Sequence, residues 1–322
     1  MQQAAWTSSL CICTHDAAEI VHHAATAHAV VLAESSLPRQ VITQLTRCWV
    51  IVHYGIGIDT VDVQTATEHG ILVCNTARYC LDEVSTHALT LLLLFNRGIL
   101  ADTLHIRSGG WSGAAVPPQR LAGQQLGIIS LGNIGQAMAR KALGVGLRVV
   151  ANDPYVQQHL PRDVQRVPLI DLDELLRTSD YVSLHVPLDA TTRRLIGERE
   201  LRLMKPSAFL INTSRGAVVD QPALTDALAS GRLAGAGLDV FEHEPLAPDD
   251  PLCHLDNVML TPHAAHWSVE ASVECRETAI GHVLTALRDK RPTDVVNPEV
   301  LQRGLWRGDT ATAGSILAAE SE

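Results

Sequence analysis

From residue 125 onward the chain repeats one pattern. Short apolar runs alternate with amphipathic stretches: "LGIISL", "LRVVAND", "YVSLHVP", "AFLINTS", "AGAGLDVF" and "NVMLTPH" read as strands, and "AMARKALGV", "DLDELLRTS" and "PALTDALAS" as helices between them. Parallel neighbours need a long crossover, so strand–helix–strand order repeated this way predicts an α/β fold with a parallel, doubly wound sheet covered on both faces. The first ninety-odd residues read as shorter units of the same kind. "HAVVLAE" and "WVIVHYG" are the Val- and Ile-rich runs of buried strands, with helical spacing in "LPRQVITQLTR" between them. One helix is expected from about Ser85 to Ile106, apolar on nearly all sides in its first half. "RSGGWSG" and "VPPQ" then mark a boundary loop. The final helix, about Ser268 to Arg288, leads back toward the first region, and the tail after it has little to pack.

At 322 residues the length suits about two domains. The formal net charge of −10 argues against nucleic acid, which needs clustered Lys and Arg, so an anionic substrate must be met by local cations or backbone N–H groups. The seven cysteines are scattered, and Cys11 and Cys13 lack a second ligand pair; no metal site and a reducing compartment are expected. No basic segment leads into a long apolar run at the start. The greasiest patch, Ala88–Phe95, is too short to span a bilayer. A cytoplasmic protein with no membrane partner is expected.

The stretch "LGIISLGNIGQAMARKAL" runs from an apolar strand through Gly132, Asn133, Ile134 and Gly135 into a helix. A pyrophosphate reaches backbone N–H groups at such a helix start, where the dipole favours negative charge. Side chains at Gly132 or Gly135 would block that approach or the helix–strand packing. The first glycine of the usual G-x-G-x-x-G pattern is Ser130 here, which fits the tight turn if its φ stays negative. A plain βα turn would use the same residues. Asp153, twenty-one residues beyond Gly132 at the end of the next strand, favours the nucleotide. It can accept both hydroxyl hydrogen bonds of an adenosine ribose and would repel a 2′-phosphate, which points to NAD over NADP. The simpler role for Asp153 is a turn cap before Pro154.

Three later strands end on polar residues: Arg215 in "INTSRGAVVD", Asp239 and Glu244 in "GLDVFEHEPL", and His263 in "MLTPHAAHW". Oxidising a secondary alcohol requires removal of the hydroxyl proton, which suits a histidine because its pKa lies near working pH. A carboxylate beside it would fix one tautomer and raise that pKa. An arginine binds a carboxylate and polarises a carbonyl through its planar fork. Each of these could be an ordinary turn or surface residue. Together, at successive strand ends behind a nucleotide turn, they point to hydride-transfer chemistry.

The runs "SLGNIG", "NDPY", "LHVPLDATTRRLIG", "MKPSAFLINTSRGAVVD", "GLDVFEHEPL" and "TPHAAHW" resemble the D-isomer-specific 2-hydroxyacid dehydrogenases. "HYGIGIDTVDV" and "YCLDEVSTHAL" extend the likeness over about residues 40 to 300, closest to the C-terminal-binding-protein-like branch. The resemblance implies an NAD-dependent dehydrogenase built as two Rossmann-like domains with the site in the interdomain cleft. Residues 1–97, completed by 290–322, would form the substrate domain, and 98–289 the NAD-binding domain. It implies His263 as acid–base, Glu244 as its orienting carboxylate and Arg215 as the substrate-binding cation. Asp239 would contact the nicotinamide carboxamide, Thr213 and Ser214 the nicotinamide ribose, and Val186, Pro187 and Thr192 would complete the cofactor site. The N–H groups of Tyr54, Gly55, Ile56 and Gly57 would hold the substrate's acid group. The family further suggests a homodimer.

Two positions depart from that branch: His53 stands where arginine is frequent, and His266 where a bulky aromatic is frequent. Arg78 could supply the missing charge. These changes open an alternative to an ordinary 2-hydroxy acid, namely a compact hydroxyalkylphosphonate or phosphite. A second alternative is an NAD-sensing co-repressor that binds peptides.

Overall fold

The computed structural model describes residues 16–33, 35–111, 118–156, 161–288 and 290–310. Cys11, Cys13 and most of the C-terminal tail lie outside them. The chain divides into two compact units, Met1–Tyr79 with Ser272–Glu322, and Cys80–Ala271.

In the first unit β1 (Ala29–Leu32), β2 (Val50–His53) and β3 (Leu72–Asn75) form a parallel sheet in that order. One face packs on Leu37, Val41, Ile42 and Leu45, as the spacing of "LPRQVITQLTR" requires. The other receives Ala279, Val283 and Ala286 from the helix Val269–Ala286, against Val50, Val52, Leu72 and Cys74. The C-terminal segment is tied back by the buried Trp306, whose Nε1–H donates to Trp49 O at 3.0 Å.

The second unit holds β4 (Gln125–Ile129), β5 (Arg148–Asn152), β6 (Tyr181–Leu184), β7 (Phe209–Asn212), β8 (Gly235–Leu238) and β9 (Val258–Leu260). They form one parallel sheet in the order β5-β4-β6-β7-β8-β9. Side chains alternate between its faces. Ile129, Val182, Leu184 and Leu210 face one core with Leu175 and Leu224, while Leu126, Ile128, Phe209 and Ile211 face the other with Leu91 and Met138. The winding reverses between β4 and β6, and the crevice beyond the carboxyl ends at such a reversal is where ligands bind on sheets of this type.

The single long helix expected over 85–106 is two helices, Leu81–Arg97 and Ile99–Arg107, bent by 60°. Gly98 makes the break. At φ 64 its N–H turns back onto the Leu94 and Phe95 carbonyls, a left-handed helix end that glycine adopts without strain. Among the described residues no single helix is long and apolar enough to cross a membrane.

The domain boundaries also differ from the expected ones, and for a packing reason. The helix Leu81–Arg97 lies on the second unit's sheet, with Phe95 stacked on Phe209 at 3.9 Å between ring centroids. Gly235 and Gly237 of β8 make room for it: a Cβ at Gly235 would come within 2.7 Å of Phe95 Cε2, and one at Gly237 within 3.0 Å of Leu91 Cβ. The first boundary therefore falls after Tyr79 instead of after 97. The return falls at Ser272 instead of 290, because most of Val269–Ala286 packs on the first unit's sheet.

Candidate active site

The turn after β4 carries the first group of candidate residues. Gly132 caps the helix Asn133–Gly144 with φ −67, a conformation open to any residue, and a Cβ there would meet nothing closer than Ser130 Oγ at 3.8 Å. Neither the backbone nor the packing requires glycine at 132, and the space in front of the helix is what an approaching phosphate needs. Gly135 is different. A Cβ there would lie 2.1 Å from Ser130 O, so packing alone demands glycine. The expectation for Ser130 fails: its φ is 75, not negative. A left-handed non-glycine residue costs about 1–2 kcal/mol. Asp153 answers it locally, with Oδ2 accepting from Leu131 N at 2.8 Å and from Ser130 Oγ at 3.5 Å. Asp153 Oδ1 accepts from Tyr155 N and Val156 N, so the turn-cap role is real. An ionised carboxylate has about four acceptor sites, and these contacts already occupy much of that capacity.

Further along the same strand ends, Thr192 donates its hydroxyl to Pro187 O at 2.6 Å and accepts from Asp189 N, closing a loop that also carries the half-buried Val186. Past β7, Ser214 Oγ donates to Asn212 Oδ1 at 2.8 Å. Thr213 Oγ1 is buried with no hydrogen-bond partner among the described residues. A buried hydroxyl left this way is costly unless a ligand completes it.

Arg215 follows, and the next residue explains how its turn meets the β8 loop. A Cβ on Gly216 would lie 1.8 Å from the Phe241 carbonyl carbon, so only glycine lets the two backbones touch. From that loop, Glu244 divides its oxygens: Oε1 accepts from Phe241 N at 2.8 Å, and Oε2 from His263 Nδ1 at 2.7 Å. The Glu244 hydrogen bond raises the His263 pKa against the opposing effect of burial, with smaller contributions from the Glu244 and Asp239 charges; the Arg215 charge works the other way. Burial pushes Glu244 upward, but the hydrogen bonds from His263 and Phe241 N and the nearby cationic charges bring it below the ordinary glutamate range. With Nδ1 on Glu244, the nitrogen left for a substrate is Nε2.

His263 also has positive φ, at 52. Asp239, 1% exposed, holds the loop around it. Its Oδ1 accepts from Thr261 Oγ1 at 2.6 Å and Ala264 N at 2.9 Å, its Oδ2 from Ala265 N at 2.9 Å, and its carbonyl from His263 N at 2.8 Å. At two acceptor sites per oxygen, one remains on Oδ2 for any carboxamide. The half-buried ring of His266 meets that of His263 edge-on at 6.1 Å, and burial, followed by the His263 charge, lowers its pKa.

The remaining candidates lie in the first unit: His53 ends β2, Tyr54 to Gly57 follow it, and Arg78 comes after β3. Gly55 O accepts from Thr76 N at 3.0 Å, Ile56 O from Asn75 Nδ2 at 2.7 Å, and Tyr54 OH donates to Ser272 O at 3.1 Å. The loop's carbonyls are tied down, while no hydrogen bond from the Gly55, Ile56 or Gly57 N–H groups occurs among the described residues. His53 is buried, with Cε1 only 2.9 Å from where a Gly55 Cβ would stand, so its ring lies beneath the loop. Arg78 is exposed, with no ion pair among the described residues.

Residues 89–265 match the family model described as "D-isomer specific 2-hydroxyacid dehydrogenase, NAD binding domain". The chain belongs to the D-isomer-specific 2-hydroxyacid dehydrogenases. It is an NAD-dependent dehydrogenase acting on a CH–OH group. The glyoxylate reductase of Korarchaeum cryptofilum is 40% identical over 277 residues, which are 85% of this chain and 83% of that protein. The hydroxypyruvate reductase of Thermotoga maritima is 40% identical over 226 residues, 69% of this chain and 72% of that one. Among solved structures, the D-lactate dehydrogenase of Aquifex aeolicus complexed with NAD and lactic acid has a TM-score of 0.77 at 28% identity, covering 83% of this chain and 85% of that one.

Three parts of the dehydrogenase's site escape sequence reasoning: the Phe241 N–H that holds Glu244, and the Thr261 and His87 side chains around Asp239. His87 alone carried a signal, as a histidine directly before the apolar run Ala88–Phe95 of the core helix.

Proposed function

We propose that the dehydrogenase interconverts a small 2-oxo acid and its 2-hydroxy acid, and that glyoxylate and hydroxypyruvate are of the right class. The observation that carries this reading is the His263–Glu244 pair at 2.7 Å, behind a turn that brings Arg215 to the same strand ends. The reductase names of the two relatives support the substrate class.

The cofactor fits the second unit on two observations: the space in front of Gly132 and the unpartnered Thr213 hydroxyl. Gly132, Asn133, Ile134 and Gly135 would hold its pyrophosphate, Asp153 the adenosine ribose, and Val186, Pro187 and Thr192 the neighbouring wall. Thr213 and Ser214 would take the nicotinamide ribose, and Asp239 the carboxamide through its one remaining acceptor site. Nicotinamide, when bound, supplies or accepts the hydride. Arg215 binds the acid group and draws electron density from the carbonyl. Within the first unit, the Gly55, Ile56 and Gly57 N–H groups are donors suited to an acid group, and Tyr54 anchors their loop. His263 gives its Nε2 proton to the carbonyl oxygen in reduction and takes it back in oxidation, while Glu244 stabilises the imidazolium.

The phosphonate alternative needs extra positive charge, and the residues that suggested it do not provide it. His53 is buried beneath Gly55, burial disfavours a charged His266, and Arg78 is exposed. The relatives' names favour an enzyme over a peptide-binding co-repressor.

The direct test is NADH oxidation by the purified protein across glyoxylate, hydroxypyruvate, pyruvate and small oxoalkylphosphonates. Turnover of an oxo acid supports the reading; turnover confined to phosphonates would replace it. A homodimer is supported by the helix Ile99–Arg107, which buries none of its residues and exposes Ile99, Leu100, Leu104 and Ile106 beside the 89%-exposed Trp111. Light scattering should give twice the chain mass, and the Leu104→Glu/Ile106→Glu double variant should give a monomer. An unchanged mass in that variant would move the interface elsewhere.

A further inference from the structure

Thr261 and His87 lie outside the acid–base pair but touch what holds it. Thr261 Oγ1 is 2.6 Å from Asp239 Oδ1. A carboxylate only accepts, and a hydroxyl has one proton, so the Thr261 proton goes to Asp239 and its oxygen is an acceptor on the other side. There it meets His87 Nε2 at 3.0 Å, which must therefore carry a proton. His87 comes from the helix Leu81–Arg97, and the same nitrogen is 3.8 Å from Asp239 Oδ1. The donors thus run in one direction, from His87 through Thr261 to a buried carboxylate. That carboxylate also takes the N–H groups of Ala264 and Ala265, the two residues after His263. The segment is pinned on both sides of a histidine whose φ of 52 is uncommon for a residue other than glycine.

We propose that Thr261 and His87 are positioning residues for the dehydrogenase reaction. Their hydrogen-bond chain fixes the Asp239 carboxylate so that it anchors Ala264 and Ala265 and thereby aims the His263 imidazole. The inference rests on His263 acting as the acid–base. A network that merely attached the helix to the sheet would affect stability and leave the chemical step alone. A positioning network acts on kcat, because small displacements of a reacting group are costly in rate.

The test uses glyoxylate reduction by NADH with Thr261→Val, Thr261→Ser, His87→Leu and His87→Gln, alongside His263→Ala. Thr261→Val should lower kcat about tenfold or more, with KM for glyoxylate changed less than about threefold. Thr261→Ser, which keeps the hydroxyl, should recover most of that loss. His87→Gln, which keeps an N–H donor, should retain more activity than His87→Leu. If Thr261→Val does not fold, the two His87 variants decide, since that side chain is partly exposed and its replacement leaves no buried donor. The proposal is overturned by a Thr261→Val kcat within twofold of the parent, by a Thr261→Ser as impaired as Thr261→Val, or by His87 variants indistinguishable from the parent. Failure of the underlying reading looks different: His263→Ala would then stay active.

Discussion

The turn after β4 and the segment after β9 each carry a non-glycine residue in a left-handed conformation, Ser130 at φ 75 and His263 at φ 52. What surrounds them differs. Ser130 has one long contact from its hydroxyl, 3.5 Å to Asp153, and its neighbour Leu131 one good one. His263 is flanked by Thr261, Ala264 and Ala265, all bonded to one buried carboxylate, and its own side chain is bonded to Glu244. Strain of similar size is tolerated at the first site and fixed in place at the second. The comparison separates a local accommodation from a conformation that the proposed chemistry needs.

Four changes sharpen or break that contrast. The largest effect belongs to His263→Ala, which should lower kcat for reduction about a hundred- to ten-thousand-fold while NADH binding, followed by fluorescence, stays near the parent value. A rate within tenfold would mean the strained segment serves something other than proton transfer. Next, Arg215→Lys keeps the charge but loses the planar fork, and kcat/KM should fall about a hundredfold, largely without rescue by high substrate if polarisation matters as much as binding. Asp153→Ala should weaken NADH binding about tenfold, narrow its advantage over NADPH, and cost about 1–3 kcal/mol in urea unfolding, because four donors lose their acceptor. The smallest effect is expected at Ser130→Gly. Relief of about 1–2 kcal/mol of strain is set against about 0.5–1 kcal/mol of added chain entropy, so stability should rise by no more than about 1.5 kcal/mol, with turnover unchanged. A large gain in either would mean Ser130 stores strain for a purpose.

Much of the site was legible because parallel strands end where ligands bind, so polar residues closing apolar runs announce themselves. Arg215, Glu244 and His263, the residues of the proposed mechanism, were singled out this way, as was the glycine turn. The sign of φ at Ser130 was not legible, since the residue's size fits either conformation. Nor was the break at Gly98, where a single glycine inside a helical pattern gives no direction. The unit boundaries were misplaced because apolar periodicity tells that the helix Leu81–Arg97 is buried but not on which sheet. His53 read as a substrate contact from its place in the chain, and only the folded loop puts its ring under Gly55. The anchoring part of Asp239 was not legible, because nothing in its spacing reveals that three donors from 261, 264 and 265 converge on its carboxylate.

The most direct test of the account is the pH dependence of kcat/KM for glyoxylate reduction, in the parent enzyme and in Glu244→Gln. In the proposed mechanism reduction draws on protonated His263, whose pKa is raised chiefly by the Glu244 hydrogen bond. The rate should therefore hold on the acid side of that raised pKa and fall as pH rises through it. In Glu244→Gln the chief cause of the raised value is gone, so the fall should begin at lower pH, with a reduced plateau. An alkaline limb that stays in place when Glu244 is replaced would contradict the account, because the proton donor would then not be the imidazole that Glu244 holds.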